Sequence, residues 1–143
     1  MGELPTGGHL MLRAVADTHT VIWYIFADPR LSTTAKDAIA QIATDGDQVA
    51  LSSITLAEIV YLSEKGRIPS LTLERLLAAI DASDAVFTEI PFDKNIAQAL
   101  RLVDRTQVPD LPDRIIAATG LYLGTPVISR DSKIKLSSVK TIW

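Results

Sequence analysis

Cysteine is absent from this 143-residue chain. That excludes a disulfide-stapled scaffold, a thiolate zinc or iron–sulfur centre, and a cysteine nucleophile. A chain without thiols fits a reducing compartment, and a cytoplasmic location is the expectation. Histidine is nearly absent too: His9 and His19 are the only two, too few for a histidine-built zinc site. No apolar run approaches the ~20 residues that a membrane helix needs, so no membrane partner is expected. The stretch Val21-Ile22-Trp23-Tyr24-Ile25-Phe26 has the length of a buried strand or of one helix face. The opening MGELPTGGHLMLR lacks the charged-then-apolar pattern of a signal peptide. Residues 1–11 read as a flexible leader, with Met11 as an alternative start.

What remains is enough for one folded domain over residues 12–143. Apolar residues make up 48% of the chain and charged residues 22%, which excludes disorder. The net charge of −3 is not that of a wholly basic nucleic-acid binder. It is unevenly spread. Residues 1–113 carry nine basic and sixteen acidic side chains, whereas residues 114–143 carry five basic and one acidic. The basic end is either ordinary solvated surface or a strip that holds phosphates, with Arg114, Arg130, Lys133 and Lys135 as its candidates.

Periodicity and capping residues predict alternating strands and helices. Strands are expected at Leu12–Ala16, Val49–Ser52, Val86–Ile90 and Thr125–Ser129, with an edge strand at Val139–Ile142. Helices are expected at Val21–Ala27, after the Ser32-Thr33-Thr34 caps, from Thr55 to Gly66, and at Thr72–Asp81, Lys94–Val103 and Asp113–Tyr122. Strand–helix alternation predicts an α/β fold with a parallel sheet, whose ligands bind beyond the carboxyl ends of the strands.

Four acids fall on that rim. Asp17 ends the first strand, Glu58 opens the helix after the second, Asp113 opens the helix before the fourth, and Asp131 ends the fourth. Each has an ordinary reading. Glu58 fits a capping box with Thr55, Asp113 favours a helix dipole with Asp110 as N-cap, Asp131 suits a turn, and Asp17 suits an Asx-type cap. Together they form an all-oxygen set, crowded enough to repel, that favours Mg²⁺, with Mn²⁺ as substitute. His19 and Trp23 each have two readings. His19 either touches substrate or is a hydrogen-bonded structural histidine. Trp23 and Tyr24 either stack a base or belong to core or interface. A groove for a partner helix is conceivable near Trp23 and Leu62.

ADTHTVIWYIFADPRLSTTAKDAI resembles the opening of PIN-domain proteins, a family of metal-dependent ribonucleases. SSITLAEIVYLSEKGRI resembles the family's second acidic helix, and LPDRIIAATGLYLGTPVISRDSKI its third and fourth acidic motifs. The closing KTIW is similar to the end of the VapC toxin branch. The resemblance implies a three-layer α/β/α fold with a short-stranded parallel sheet flanked by helices. It implies catalytic, metal-binding roles for Asp17, Glu58, Asp113 and Asp131. Ser129 matches a small hydroxyl residue two before the last acid and is expected to bind substrate, with Arg114, Arg130 and Lys133. Asp110 matches a position acidic in relatives that read Asp-Pro-Phe-Asp-Arg, but here Leu111-Pro112 stands in the middle. An RNA substrate, a cognate antitoxin and a homodimer are also implied.

Two other families gather acids at a sheet edge and fit less well. A haloacid-dehalogenase-like phosphatase needs a second aspartate two residues after the first, where this chain has His19. A receiver domain needs a phosphoacceptor after a central strand, where Val49–Ser52 leads into serines. A non-catalytic RNA- or protein-binding PIN-like module is the alternative to a nuclease.

Overall fold

The computed structural model describes residues 10–143, so all but Leu10 and Met11 of the expected leader lie outside the described residues. The elements run β1 (Leu12–Ala16), α1 (Thr18–Ile25), α2 (Thr33–Thr44), β2 (Gln48–Ser52), α3 (Ser53–Glu64), α4 (Thr72–Asp81), β3 (Phe87–Ile90), α5 (Lys94–Leu100), α6 (Leu111–Leu123), β4 (Val127–Ile128), α7 (Ser132–Leu136) and β5 (Thr141–Ile142). All five strands are parallel, in the order β3-β2-β1-β4-β5. Successive connections step outward from β1 to β3 and then return to its other side. The topological switch point therefore lies between β1 and β4, where such sheets bind ligands.

Strand alternation divides the interior into two layers. Ala14, Ala16, Val49, Leu51 and Ile128 face one layer, built with α1, α2, Ile59 of α3 and Leu76 of α4. Val15, Ala50 and Val127 face the other, built with Ile96 of α5, Ile116 to Ala118 of α6 and Ile134 of α7. This is the expected three-layer arrangement. At Gly120, α6 lies so close to β4 that an added Cβ would stand 2.8 Å from a Val127 methyl.

Several boundaries differ from expectation, each for a local reason. Helix α1 begins at Thr18 rather than Val21, because the Asp17 side chain accepts from the Thr20 N–H and starts the helix early. Helix α3 begins at Ser53, capped by Ser52, and not at Thr55. Helix α5 stops at Leu100 and tightens into i→i−3 bonds through Val103. Strand β4 is two residues long, flanked by Pro126, which has no N–H to donate. The five-residue α7, capped by Asp131, is an addition that no periodic pattern signals.

Helix ends show one strained exception. Helices α2, α3 and α6 end at Gly46, Gly66 and Gly124, all with positive φ. At the end of α1 the same left-handed position is filled by Ala27, φ +50°. The Ala27 N–H donates to the Tyr24 carbonyl at 3.1 Å and the Asp28 N–H to the Trp23 carbonyl at 2.8 Å, the bond pair of a Schellman turn. A Cβ in this conformation costs about 1–2 kcal/mol, part of which the looser unfolded chain of a glycine variant gives back. Ala27→Gly is therefore expected to stabilise the fold by up to about 1 kcal/mol, read as a higher denaturant midpoint at unchanged slope.

Candidate active site

At the carboxyl edge of the sheet, beside the switch point, a cavity of about 500 Å³ is lined by Asp17, Thr18, His19, Trp23, Arg30, Glu58, Asp110, Asp113, Arg130 and Asp131. All four acids expected there line it, and Asp110 joins them. Their supports differ. Asp17, only 9% exposed, follows β1 and caps α1 through one oxygen. Asp131 follows β4 and caps α7, its Oδ1 accepting from the Lys133 and Ile134 N–H groups at 2.8 and 3.3 Å. Asp110 caps α6, its Oδ2 accepting from the Asp113 N–H at 3.1 Å. In each of these three caps the accepted bonds fall on a single oxygen, so one carboxylate oxygen is left for other work.

Glu58 is held differently, and here the capping-box reading is overturned. Thr55 lies buried inside α3, and Glu58 stands in the helix's second turn. Its carboxylate instead accepts a hydrogen bond from the Thr18 hydroxyl, which in turn pairs with the Thr55 hydroxyl at 3.1 Å. The Thr18 proton is committed to Glu58, so Thr55 is the donor of the second bond. This relay fixes α1 to α3 and aims Glu58. Thr18 escaped the sequence reading, although its place beside Asp17 at the start of a helix was the available signal.

Crowding and burial raise two of the acids. Burial pushes the Glu58 carboxyl above its ordinary range, with the Asp110 and Asp17 charges adding to the rise and the Thr18 bond opposing it. Burial, then the charges of Asp110, Asp131, Glu58 and Asp17, push Asp113 up to about 7. Asp113 makes no side-chain hydrogen bond among the described residues, so none of them offsets this cost in that way.

Among the described residues, no three acidic or imidazole side chains are arranged to hold a metal ion by themselves. Mg²⁺ does not require such a cage, because it keeps several waters and binds through one or two carboxylates. The donor set is all oxygen, and it contains a carboxyl that burial, with the neighbouring acids, pushes up to about 7. That chemistry fits a hard divalent cation, which would sit among Asp17, Glu58, Asp113 and Asp131, with Asp110 within reach of the same space.

The other expected site residues separate. Arg130 lines the cavity, but Arg114, Lys133 and Lys135 do not. The Arg114 guanidinium donates to the Leu100 and Val103 carbonyls, each at 2.9 Å, and so closes the end of α5. The two lysines project to solvent from α7. Ser129 is fully buried and accepts from the Asp131 N–H at 2.9 Å, which shapes the turn carrying that acid and leaves no surface for substrate. His19 corrects its structural reading. It is exposed at the cavity, its ring 5.5 Å from that of Trp23, with no side-chain hydrogen bond among the described residues. Tyr24 belongs to the core, edge-on to Phe87. Trp23 is 4% exposed, packed between His19 and Trp143. Arg30, on the loop after α1, is a cavity residue that the sequence reading missed.

No curated protein matches the chain by sequence. Solved structures do resemble it. VapBC2 from Rickettsia felis, bound to a DNA fragment from their promoter, aligns over 91% of this chain and 97% of that one, at 17% identity and a TM-score of 0.68. A toxin–antitoxin complex from Klebsiella pneumoniae aligns over 91% and 96%, at 25% identity and 0.60. FitAcB from Neisseria gonorrhoeae aligns over 90% and 95%, at 24% identity and 0.59. The PIN domain family matches residues 14–139, a span that takes in β2, β3, β4, most of β1 and all the acids of the cavity, and the chain belongs to that family.

Proposed function

We propose that the chain is a Mg²⁺-dependent endoribonuclease, the toxin of a toxin–antitoxin pair, restrained by a cognate antitoxin. The observation that carries this reading is the convergence of Asp17, Glu58, Asp113 and Asp131, with Asp110, in one cavity at the switch point of a parallel sheet. Membership of the PIN domain family and likeness to toxin–antitoxin complexes support it. The partners proposed are an RNA substrate, an antitoxin chain and a second copy of this chain. Among the described residues no helix is long and apolar enough to cross a membrane, and a cytoplasmic setting would supply both RNA and Mg²⁺.

A bound divalent cation would neutralise charge on the non-bridging oxygens of a phosphodiester and lower the pKa of an attacking water. The chain's residues supply the rest. Asp17 and Asp131, both lining the cavity, each use one oxygen to cap a helix and leave the other without a capping bond. The Thr55–Thr18 relay keeps Glu58 aimed. Asp113, its carboxyl pushed up to about 7 by burial and the neighbouring acids, would give up its proton to a bound cation's charge. A carboxylate of the set, Asp131 in this reading, accepts a hydrogen bond from the attacking water and orients it. The water oxygen bonds to phosphorus as its proton passes to that carboxylate, the bond to the 3′ oxygen breaks, and the departing 3′ oxygen takes a proton from solvent, giving a 5′-phosphate and a 3′-hydroxyl.

The test is incubation of purified chain, free of antitoxin, with total cellular RNA in Mg²⁺, in Mn²⁺ and in chelator. Discrete fragments with 5′-phosphate ends in either metal, and none in chelator, are the expected result. Tight RNA binding without cleavage would instead favour a non-catalytic binding module.

A further inference from the structure

The wall of the acidic cavity carries two arginines stacked on one tryptophan. The Arg130 guanidinium carbon lies 4.6 Å from the Trp23 ring centroid and that of Arg30 lies 5.1 Å from it. Trp23 is itself wedged between Trp143, 5.9 Å away, and His19, and it is almost wholly buried. A buried indole with two guanidinium groups over it is a platform for cations, and at 4% exposure it offers little surface to a base.

The state of Arg130 gives the platform its meaning. It shares a cavity with five carboxylates, yet among the described residues its side chain makes no hydrogen bond or ion pair with any of them. Cation–π attraction holds it over the Trp23 indole instead, and among the described residues its donors are left unspent. Arg30 is held by two forces. Its Nε and Nη2 donate to Asp28 at 3.0 and 2.7 Å, which fixes the guanidinium against the ring and leaves Nη1 unused. The strained turn at Ala27 folds the chain back at the end of α1, and the loop it starts carries Arg30 to the cavity wall. Strain retained beside a site, where glycine ends three other helices, accords with a required loop position.

We propose that Arg130 and Arg30, stacked on Trp23, form a phosphate clamp for the backbone of the RNA flanking the scissile bond. This rests on the nuclease reading above and extends it. A cavity with five acids repels a polyanion, so RNA needs a cationic edge along which to enter. The clamp supplies one on the α1 side, whereas Arg114, Lys133 and Lys135 do not reach it. Guanidinium is suited to the task because its planar fork matches a phosphate's oxygens while its face stays on the indole. Carboxylates of a protein partner are the competing ligand, and the observations favour RNA because the clamp adjoins Asp131, an acid of the reaction itself.

The experiment measures binding of a fluorescently labelled single-stranded RNA oligonucleotide in Mg²⁺ over a series of salt concentrations. An Asp17→Asn background keeps the RNA intact. Adding Arg130→Ala is expected to weaken binding about tenfold and to reduce the slope of log affinity against log salt by about 0.7, the value of one phosphate contact on a single strand. Adding Arg130→Lys is expected to restore the slope but not the affinity, since a hydrated ammonium does not stack. Arg30→Ala should lower both more weakly, because Asp28 already neutralises part of its charge. Arg130 is exposed, so these variants fold. Unchanged affinity and slope in Arg130→Ala would overturn the clamp, and so would full rescue by lysine. The two readings fail separately. A wild-type chain that never cuts RNA but shows the expected slope change keeps the clamp and loses the nuclease. A chain that cuts RNA equally well, at the same KM, with Arg130→Ala keeps the nuclease and loses the clamp.

Discussion

Asp17→Asn is expected to lower Mg²⁺-dependent RNA cleavage at least about 100-fold while leaving the thermal midpoint within a few degrees of wild type. The separation of activity from stability follows from the two jobs of this side chain. One oxygen accepts from the Thr20 N–H and starts α1. Asparagine keeps that acceptor and is as good an N-cap as aspartate. What it loses is the negative charge and the second anionic oxygen, which are what a cation needs. Asp17→Ala is the contrasting variant, because it also removes the cap and costs about 1 kcal/mol of stability. Cleavage assays beside thermal melts of both variants check this. Full activity in a folded Asp17→Asn chain would remove Asp17 from the reaction.

Asp113→Asn is expected to do the opposite to stability: in the absence of metal, the variant should melt above the wild type at neutral pH. The folded chain holds the Asp113 carboxyl at about 7, against 3.8 for an unperturbed one. Below about pH 4 the group is protonated in the folded and unfolded chains alike, so it contributes no pH dependence. Between 3.8 and about 7 the unfolded chain has shed a proton that the fold retains, so stability falls as pH rises through this window. Above that window the loss is complete and levels off. The full shift would amount to about 4 kcal/mol, but Asp113 is partly open to solvent, and screening reduces this to about 1–2 kcal/mol. Asparagine removes the charge and with it the penalty. The gain should be several degrees at pH 8, shrinking towards pH 4. Mg²⁺ should raise the melting point of the wild type at pH 8 and raise that of Asp113→Asn less. A variant that melts below the wild type at pH 8 without metal would show that Asp113 is stabilised by something other than a cation.

The sheet, its parallel sense and the rim of acids could be read from the sequence because they rest on local signals. Strand-length apolar runs, capping residues and the glycines at 46, 66 and 124 mark where each element starts and stops. The relation of side chains distant in sequence could not be read that way. Glu58 matched a capping box with Thr55, and only the packing of α1 against α3 shows that Thr18 takes that role. Arg114 looked like a free cation of the basic end, until α5 was seen to finish against it. Arg30 stands in a loop with no periodicity, so nothing in its surroundings along the chain pointed to Trp23. His19 lay in an apolar stretch, yet it falls on the first turn of α1, which meets the cavity. Helix α7 is too short for any period to show.

The double duty of the capping acids bears on how such a protein would decay. Consider a duplicated copy of this chain, freed from selection for cleavage but still required to fold and to occupy its partners. Mutation would not wear away its acids evenly. Asp17, Asp110 and Asp131 each begin a helix, so drift there should settle on asparagine, serine or threonine, which still cap. Asp113 begins nothing and costs stability while it remains, so it should be the first acid lost. An inactive descendant would thus be recognised by a missing Asp113 among three surviving caps.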